Sequence, residues 1–336
     1  MINLHLFNHR DVARLLPMDR CISLMEEVML ALEKGRATLP LRSITWMKDR
    51  SGALGLMPAI LDRPAVMGVK VISVFPGNSG TALESHQGAI LLFEMEHGRP
   101  YALVDAAAVT AVRTAAVSAA ATRILSREDA GQMALLGSGV QAETHLEAIL
   151  SVRPLKKVRV FSRTASHAQA FARRASAKYD VEVAVAASAR EAVSGAAILC
   201  TVTGSAEPLV LGEWLAPGAH INAVGACTPA ARDLDGAAMA RARIFTDRRE
   251  SALAEAGDLL LAMQEKAIGA DPVAGELGEL LAGTVPGRTG PDQITLFESL
   301  GLAVQDLAAA HEVFTRGRRK GAGTAIPWGG ERYAAS

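Results

Sequence analysis

The chain has 336 residues, half of them hydrophobic, which is enough for about two domains with real cores. Its 35 basic and 35 acidic residues cancel, so no polyelectrolyte field directs it to nucleic acid or to an anionic membrane surface, and a small-molecule role is expected. Cys21, Cys200 and Cys227 are odd in number and far apart, which makes neither a disulfide framework nor a zinc spacing, so no metal is expected.

The N-terminal "MINLHLFNHRDVARLL" lacks a basic region followed by a continuous apolar segment, and no uninterrupted apolar run reaches about 18 residues. A cytoplasmic protein without a membrane span is expected. A helix-period stretch from Asp19 to Lys34 is followed by strand-like "LRSITWM", "ALGLM", "AVMGVKVISVF", "AILLFEM" and "YALVDA", several separated by Gly, Asn, Asp or Pro. This pattern predicts an α+β domain built on a sheet. "AAAVTAVRTAAVSAAATRIL" then reads as a helix of small and apolar residues. Two cations interrupt these segments, Lys70 in a strand and Arg113 in the small-residue helix. A buried cation is costly unless paired, and neither segment has an acid nearby. The candidates for partner are an external anion, such as a substrate carboxylate, or a distant Asp or Glu; snorkelling to solvent is the third possibility.

From "QMALLGSGVQAETHLEAILSV" onward the pattern becomes strand, glycine turn, helix. "KVRVFSR", "VEVAV", "AAILCTV", "AHINAV" and "ARIFTD" are further β-rich runs at spacings mostly long enough for helices between them, which predicts a doubly wound parallel sheet. In "GSGVQA", Gly137 and Gly139 take the first two glycine positions of a dinucleotide turn and Ala142 the small third one, so that a pyrophosphate can rest on N–H groups at the helix N-terminus. The second strand ends in "FSRTAS", with Ser162, Arg163 and Thr164 and no carboxylate for a ribose 2′-OH. Arg163 can pair with a 2′-phosphate, which favours NADPH, with NADH still possible. Cys227 follows the fifth strand at the edge where ligands of open α/β sheets bind; a packing role for a small buried thiol is the alternative. The tail "LFESLGLAVQDLAAAHEVFTRG" reads as an amphipathic helix that packs back on the first domain.

"LPLRSITW", "GLMPA", "GVKVIS", "SHQGAILLFE", "AVRTAAVSAAAT", "LLGSGVQA", "HINAVGA" and "FESLGLAVQD" occur in the order seen in the ornithine cyclodeaminase/mu-crystallin family, which the chain resembles over nearly its whole length. The resemblance implies a substrate-binding and dimerisation domain, residues 1–125 and 303–336, completed by the C-terminal helix, beside a Rossmann NAD(P)-binding domain, residues 126–302, in a homodimer. It implies that Arg42, Lys70 and Arg113 hold a substrate carboxylate. Thr114, Gly137, Gly139, Val140, Gln141, Ser162, Arg163 and Thr164 would contact the cofactor. Thr203 and Val224 would lie beside it and Ser299 and Leu300 would close the pocket, with His86 a weaker candidate there.

Two departures bear on activity. True ornithine cyclodeaminases carry an aspartate after "NAVG", where this chain has Cys227, and a carboxylate just before "LMP", where it has Gly55. A thiol, with a reference pKa of about 8.5, substitutes poorly for a carboxylate. The resemblance therefore points to the ketimine-reductase side of the family: NAD(P)H-dependent reduction of a cyclic imino acid, favoured Δ1-pyrroline-2-carboxylate to L-proline and next Δ1-piperideine-2-carboxylate to L-pipecolate. Lys70, or a water held by Cys227, would deliver the proton. Ornithine cyclodeamination, an open-chain amino-acid dehydrogenase and a non-catalytic NADPH-binding protein are the alternatives.

Overall fold

A computed structural model describes residues 2–78 and 81–329. In chain order the first half comprises β1 (Ile2–Phe7), α1 (His9–Leu15), α2 (Met18–Glu33), β2 (Ala37–Thr38), β3 (Ser43–Trp46), β4 (Ala53–Leu61), β5 (Val66–Val74), β6 (His86–Phe93), β7 (Pro100–Asp105) and α3 (Ala106–Leu125). There follow β8 (Gln132–Leu136), α4 (Val140–Leu150), β9 (Lys157–Phe161), α5 (Ala165–Lys178), β10 (Glu182–Val185), α6 (Ala189–Val193), β11 (Ile198–Thr201) and β12 (His220–Ala223). The remainder is α7 (Gly236–Arg241), β13 (Ala242–Thr246), α8 (Arg249–Glu255), α9 (Gly257–Gln264), β14 (Val273–Glu276), α10 (Leu277–Ala282), β15 (Ile294–Glu298), α11 (Ala303–Lys320) and β16 (Thr324–Trp328). The chain divides into two compact units, Met1–Arg113 with Leu302–Ser336, and Thr114–Gly301. The division falls inside α3 rather than at its end.

In the first unit the sheet runs β16-β1-β7-β6-β5-β4-β2, with β3 on β4. Strand β4 alternates without a break, so Ala53, Gly55, Met57, Ala59 and Leu61 are buried and Leu54, Leu56, Pro58 and Ile60 face outward. Period 2 puts the first set against α11, which packs on β4, β5 and β6 and on α2. Ile22, Met25 and Met29 of α2, Ile90 and Leu92 of β6, and Leu307 and Val313 of α11 fill the core. Local chemistry fixes the helix ends. Asn8 accepts the N–H groups of Arg10 and Asp11 while Asp11 accepts that of Asn8, a capping box that starts α1. The Asp105 carboxylate accepts the Ala108 N–H at 2.8 Å, which starts α3 immediately after a strand.

The second unit is a parallel sheet, β10-β9-β8-β11-β12-β15-β13-β14, every adjacent pair running the same way. The strand order reverses between β8 and β11, the switch point at whose carboxyl edge Rossmann folds bind dinucleotides. Two of its eight strands, β14 and β15, are absent from the strand pattern read in the sequence. The tail helix accordingly begins at Ala303, and "LFE" belongs to β15, a strand buried at all five positions between β12 and β13. A short run that is apolar throughout carries no period to separate strand from helix. Strands β1 and β16 were likewise unmarked; they pair antiparallel with each other, Ile2 opposite Trp328. Helix α3 is long and apolar enough to cross a membrane by composition, but most of it is buried within the fold.

Candidate active site

In the first unit Lys70 lies mid-strand on β5, paired across the sheet with Met57 and Ile90. Its side chain is buried, as is that of Arg113 on α3. Both reach one carboxylate: Lys70 Nζ is 2.7 Å from Asp306 Oδ2, and Arg113 Nε donates to Asp306 Oδ1 at 2.9 Å. Asp306 is fully buried in the first turn of α11, where the helix dipole favours a negative charge. Gln305 beside it accepts from the second guanidinium arm of Arg113 at 3.1 Å and from the Leu302 N–H at 3.2 Å. Lys70 Nζ also donates to Thr110 Oγ1 at 3.4 Å.

The distant acid is therefore the partner of the two sequence-marked cations, and the external anion is not required to explain them singly. Two positive charges nonetheless meet one negative charge, and the surplus is buried. Lys70 registers the surroundings: burial lowers its pKa most, Asp306 raises it, and Arg113 and Arg42 lower it again, leaving it at about 8. Arg42 thus belongs to the same electrostatic neighbourhood. So does His86, whose imidazole is pushed below its ordinary value by burial and by the Lys70 charge, although its surface in the single chain is open. Gly55 lies opposite Ile72, with Ile72 Cγ2 3.3 Å from where a Cβ would stand, so this wall is apolar. Asp306 and Gln305 were not singled out from the sequence. Their signal was "VQD" at the head of the last helix, hidden because the preceding strand was read as part of that helix.

In the second unit the strand–turn–helix lies at the switch point. Gly137 has φ of +117°, and a Cβ there would stand 2.9 Å from the Val202 side chain and carbonyl, so glycine is required. Gly139 is the N-cap of α4, makes no side-chain cap bond, and a Cβ on it would meet open space. That is the cradle a pyrophosphate needs at a helix N-terminus. Val140 is half exposed in the first turn, and Gln141 Oε1 is buried without a hydrogen-bond partner. Thr114 Oγ1 and Ser299 Oγ are also buried and unpartnered. Orphaned polar atoms at three positions expected to touch the cofactor fit a polar ligand there. Ser162, Arg163 and Thr164 follow β9, with Arg163 exposed.

The carboxyl edge of β12 carries the rest. The Val224 N–H donates to the Thr201 carbonyl at 3.0 Å, and Cys227, half-buried, packs against the core while its N–H donates to the Gly225 carbonyl. Gly225 lies so close to Thr203 and Asp233 that a Cβ would overlap the Thr203 carbonyl and the Asp233 carboxylate. Thr203 Oγ1 donates to Asp233 Oδ1 at 2.5 Å. The Leu300 N–H donates to Asp247 Oδ2 at 3.0 Å. One further group, Glu94, Glu96 and His97, gathers potential metal ligands at the turn after β6. Glu94 spends its oxygens on the N–H groups of Glu96, His97 and Arg99, which makes it a turn cap.

The second unit is a Rossmann sheet with a glycine-turn cradle, the class of fold that binds nicotinamide dinucleotides, and the first unit holds a buried surplus of positive charge. The chain belongs to the ornithine cyclodeaminase/mu-crystallin family, whose model matches residues 4–321. It is 41% identical over 280 residues to the ketimine reductase mu-crystallin of Mus musculus, covering 83% of this chain and 85% of that one. It is 33% identical over 315 residues to a Δ1-pyrroline-2-carboxylate reductase of Bacillus cereus, covering 93% and 96%. The structure of a Thermococcus litoralis Δ1-pyrroline-2-carboxylate reductase in complex with NADH and L-proline superposes with a TM-score of 0.94 at 35% identity, covering 96% of this chain and 100% of that one.

Proposed function

We propose that the protein is an NAD(P)H-dependent reductase of cyclic imino acids, with Δ1-pyrroline-2-carboxylate giving L-proline as the favoured reaction and Δ1-piperideine-2-carboxylate giving L-pipecolate as the second. The observation that carries the reading is the surplus charge: Lys70 and Arg113 bring two cations to the single carboxylate of Asp306, in a buried setting where a substrate carboxylate restores balance. Arg42, Lys70 and Arg113 hold that carboxylate by charge-assisted hydrogen bonds. The reduced nicotinamide, when bound, supplies a hydride for C2 of the protonated imine. Lys70, with a pKa of about 8, is charged at neutral pH and still acidic enough to give a proton to the imine nitrogen. A water held by Cys227 is the alternative proton donor.

NADPH is the favoured cofactor because β9 ends at Phe161, followed by Ser162, Arg163 and Thr164 with no carboxylate for a ribose 2′-OH. Gly137, Gly139, Val140 and Gln141 hold its pyrophosphate, and Thr114, Thr203, Val224, Ser299 and Leu300 surround the remainder. A cytoplasmic setting accords with three cysteines that form no disulfide among the described residues. Arrangement as a homodimer accords with the apolar outer face of β4 described above. In the decisive test, Lys70→Ala and Arg113→Ala each lose about 100-fold or more in kcat/KM for the imine while NADPH affinity is kept. Wild-type turnover in both variants would remove the assignment.

A further inference from the structure

Glu298 ends β15, with Ala223 of β12 on one side and Thr246 of β13 on the other, so it stands at the carboxyl edge in mid-sheet. Its side chain is 1% exposed, and neither carboxyl oxygen has a hydrogen-bond partner. The titratable groups facing it are Asp233 and Cys227 from the segment after β12, Asp258 from α9, and Asp247 from the end of β13. The three aspartates are all engaged. Asp247 accepts the N–H groups of Leu300 and Gly301 on one oxygen, at 3.0 and 2.7 Å, and those of Arg248 and the Thr246 hydroxyl on the other. Asp258 Oδ1 accepts the N–H groups of Asp233 and Leu234, both at 2.8 Å, and the neighbouring Gly257 N–H donates to the Ala226 carbonyl at 2.9 Å. Asp233 takes the Thr203 hydroxyl. Burial lifts Asp258 to about 7, against which its two N–H donors and the Arg232 guanidinium, itself paired with Glu265, favour its anion.

These bonds fasten two segments, residues 224–234 with Cys227 and residues 299–301, which are the segments assigned above to the cofactor pocket. Glu298 lies among the acids that hold both and receives no donor of its own. We propose that Glu298 is a positioning residue that works as an uncharged acid: it keeps its proton so that Asp247 and Asp258 can carry the charges that fasten the two cofactor-facing segments. Ionising it would place one more negative charge, unsolvated, among those aspartates and loosen both segments. Burial, and then repulsion from Asp258, Asp247 and Asp233, raise the acidity constant of Glu298 well above its ordinary value. Burial also lifts Asp233, to about 6, but that group retains donors that favour its anion.

The inference rests on the cofactor pocket proposed above, and two readouts on the full-length protein separate the two ideas. An acid whose pKa is raised on folding makes the folded state bind the extra proton, so its contribution to stability falls as pH rises past the unfolded value of about 4.3. Wild type should therefore lose thermal stability relative to Glu298→Gln between pH 5 and 8. NADPH dissociation constants from fluorescence titration at pH 7.5, 8.5 and 9.5 read the positioning. Wild type should weaken by about tenfold per pH unit once Glu298 ionises, and Glu298→Gln should stay within about twofold. Equal stability profiles, a flat wild-type affinity, or a Glu298→Gln affinity as pH-dependent as wild type would each overturn the proposal. So would recovery of wild-type affinity at pH 9.5 by Mg²⁺, because the cluster would then be a cation site. Imine reduction absent alongside this pH pattern would remove the reductase reading and leave the role of Glu298 standing.

Discussion

Lys70 is set by opposing effects of unequal size. Burial takes its pKa down from 10.5 and the Asp306 carboxylate returns part of that shift, so the group settles at about 8. A lysine whose folded pKa is lowered is charged below that value and neutral above it, so the carboxylate binding and proton supply proposed for Lys70 would both be lost as pH rises through about 8. The rate of imine reduction should therefore carry an alkaline limb near pH 8. Asp306→Asn removes the group that holds the ammonium charged and should move the limb to lower pH by about one unit or more, whereas Asp306→Glu should restore it; the full pH–rate profile of each variant checks this. The same Asn substitution leaves two buried cations without their carboxylate and should cost about 3–5 kcal/mol in stability, read by denaturant melting. Lys70 and Arg113 were visible in the sequence because a lone cation in an apolar run is anomalous. Asp306 was not, because an acid near a helix start is ordinary, and only the fold brings residue 306 beside residue 70.

At the scale of elements, legibility followed periodicity and punctuation. Helix α3 matches its small-residue run from Ala106 to Leu125, and the strand–turn–helix from β8 through α4 was marked by glycines with identifiable duties. Strand β15 was lost inside a helix because "ITLFE" is buried at every position and has no alternation. That error concealed Glu298, since a glutamate on an amphipathic helix needs no explanation and one at the buried end of a parallel strand does. In the proposed assignment, the segment following β9 sets cofactor choice. Arg163→Ala should weaken NADPH binding by about tenfold while changing NADH binding by less than about twofold, measured by fluorescence titration of both cofactors. Equal losses for the two would show that Arg163 does not meet the 2′-phosphate.

For the whole molecule, the outer face of β4 presents Leu54, Leu56 and Ile60, each about two-fifths exposed. Alternation on β4 normally leaves polar residues on an outward face, and a contiguous apolar one marks an interface. A second copy covering it should make the wild-type protein a dimer by light scattering, and Leu56→Glu with Ile60→Glu should shift it to monomer. A monomeric wild type at micromolar concentration would contradict the dimer. Imine reduction is read by absorbance at the reduced-nicotinamide band with purified protein, NADPH or NADH, and Δ1-pyrroline-2-carboxylate, with ornithine plus NAD⁺ run in parallel. Rapid loss of reduced cofactor with the imine, and no ammonia from ornithine, is the predicted result. Ammonia release from ornithine with a silent imine would contradict the account, because Cys227 and Gly55 would then be doing the work of two carboxylates.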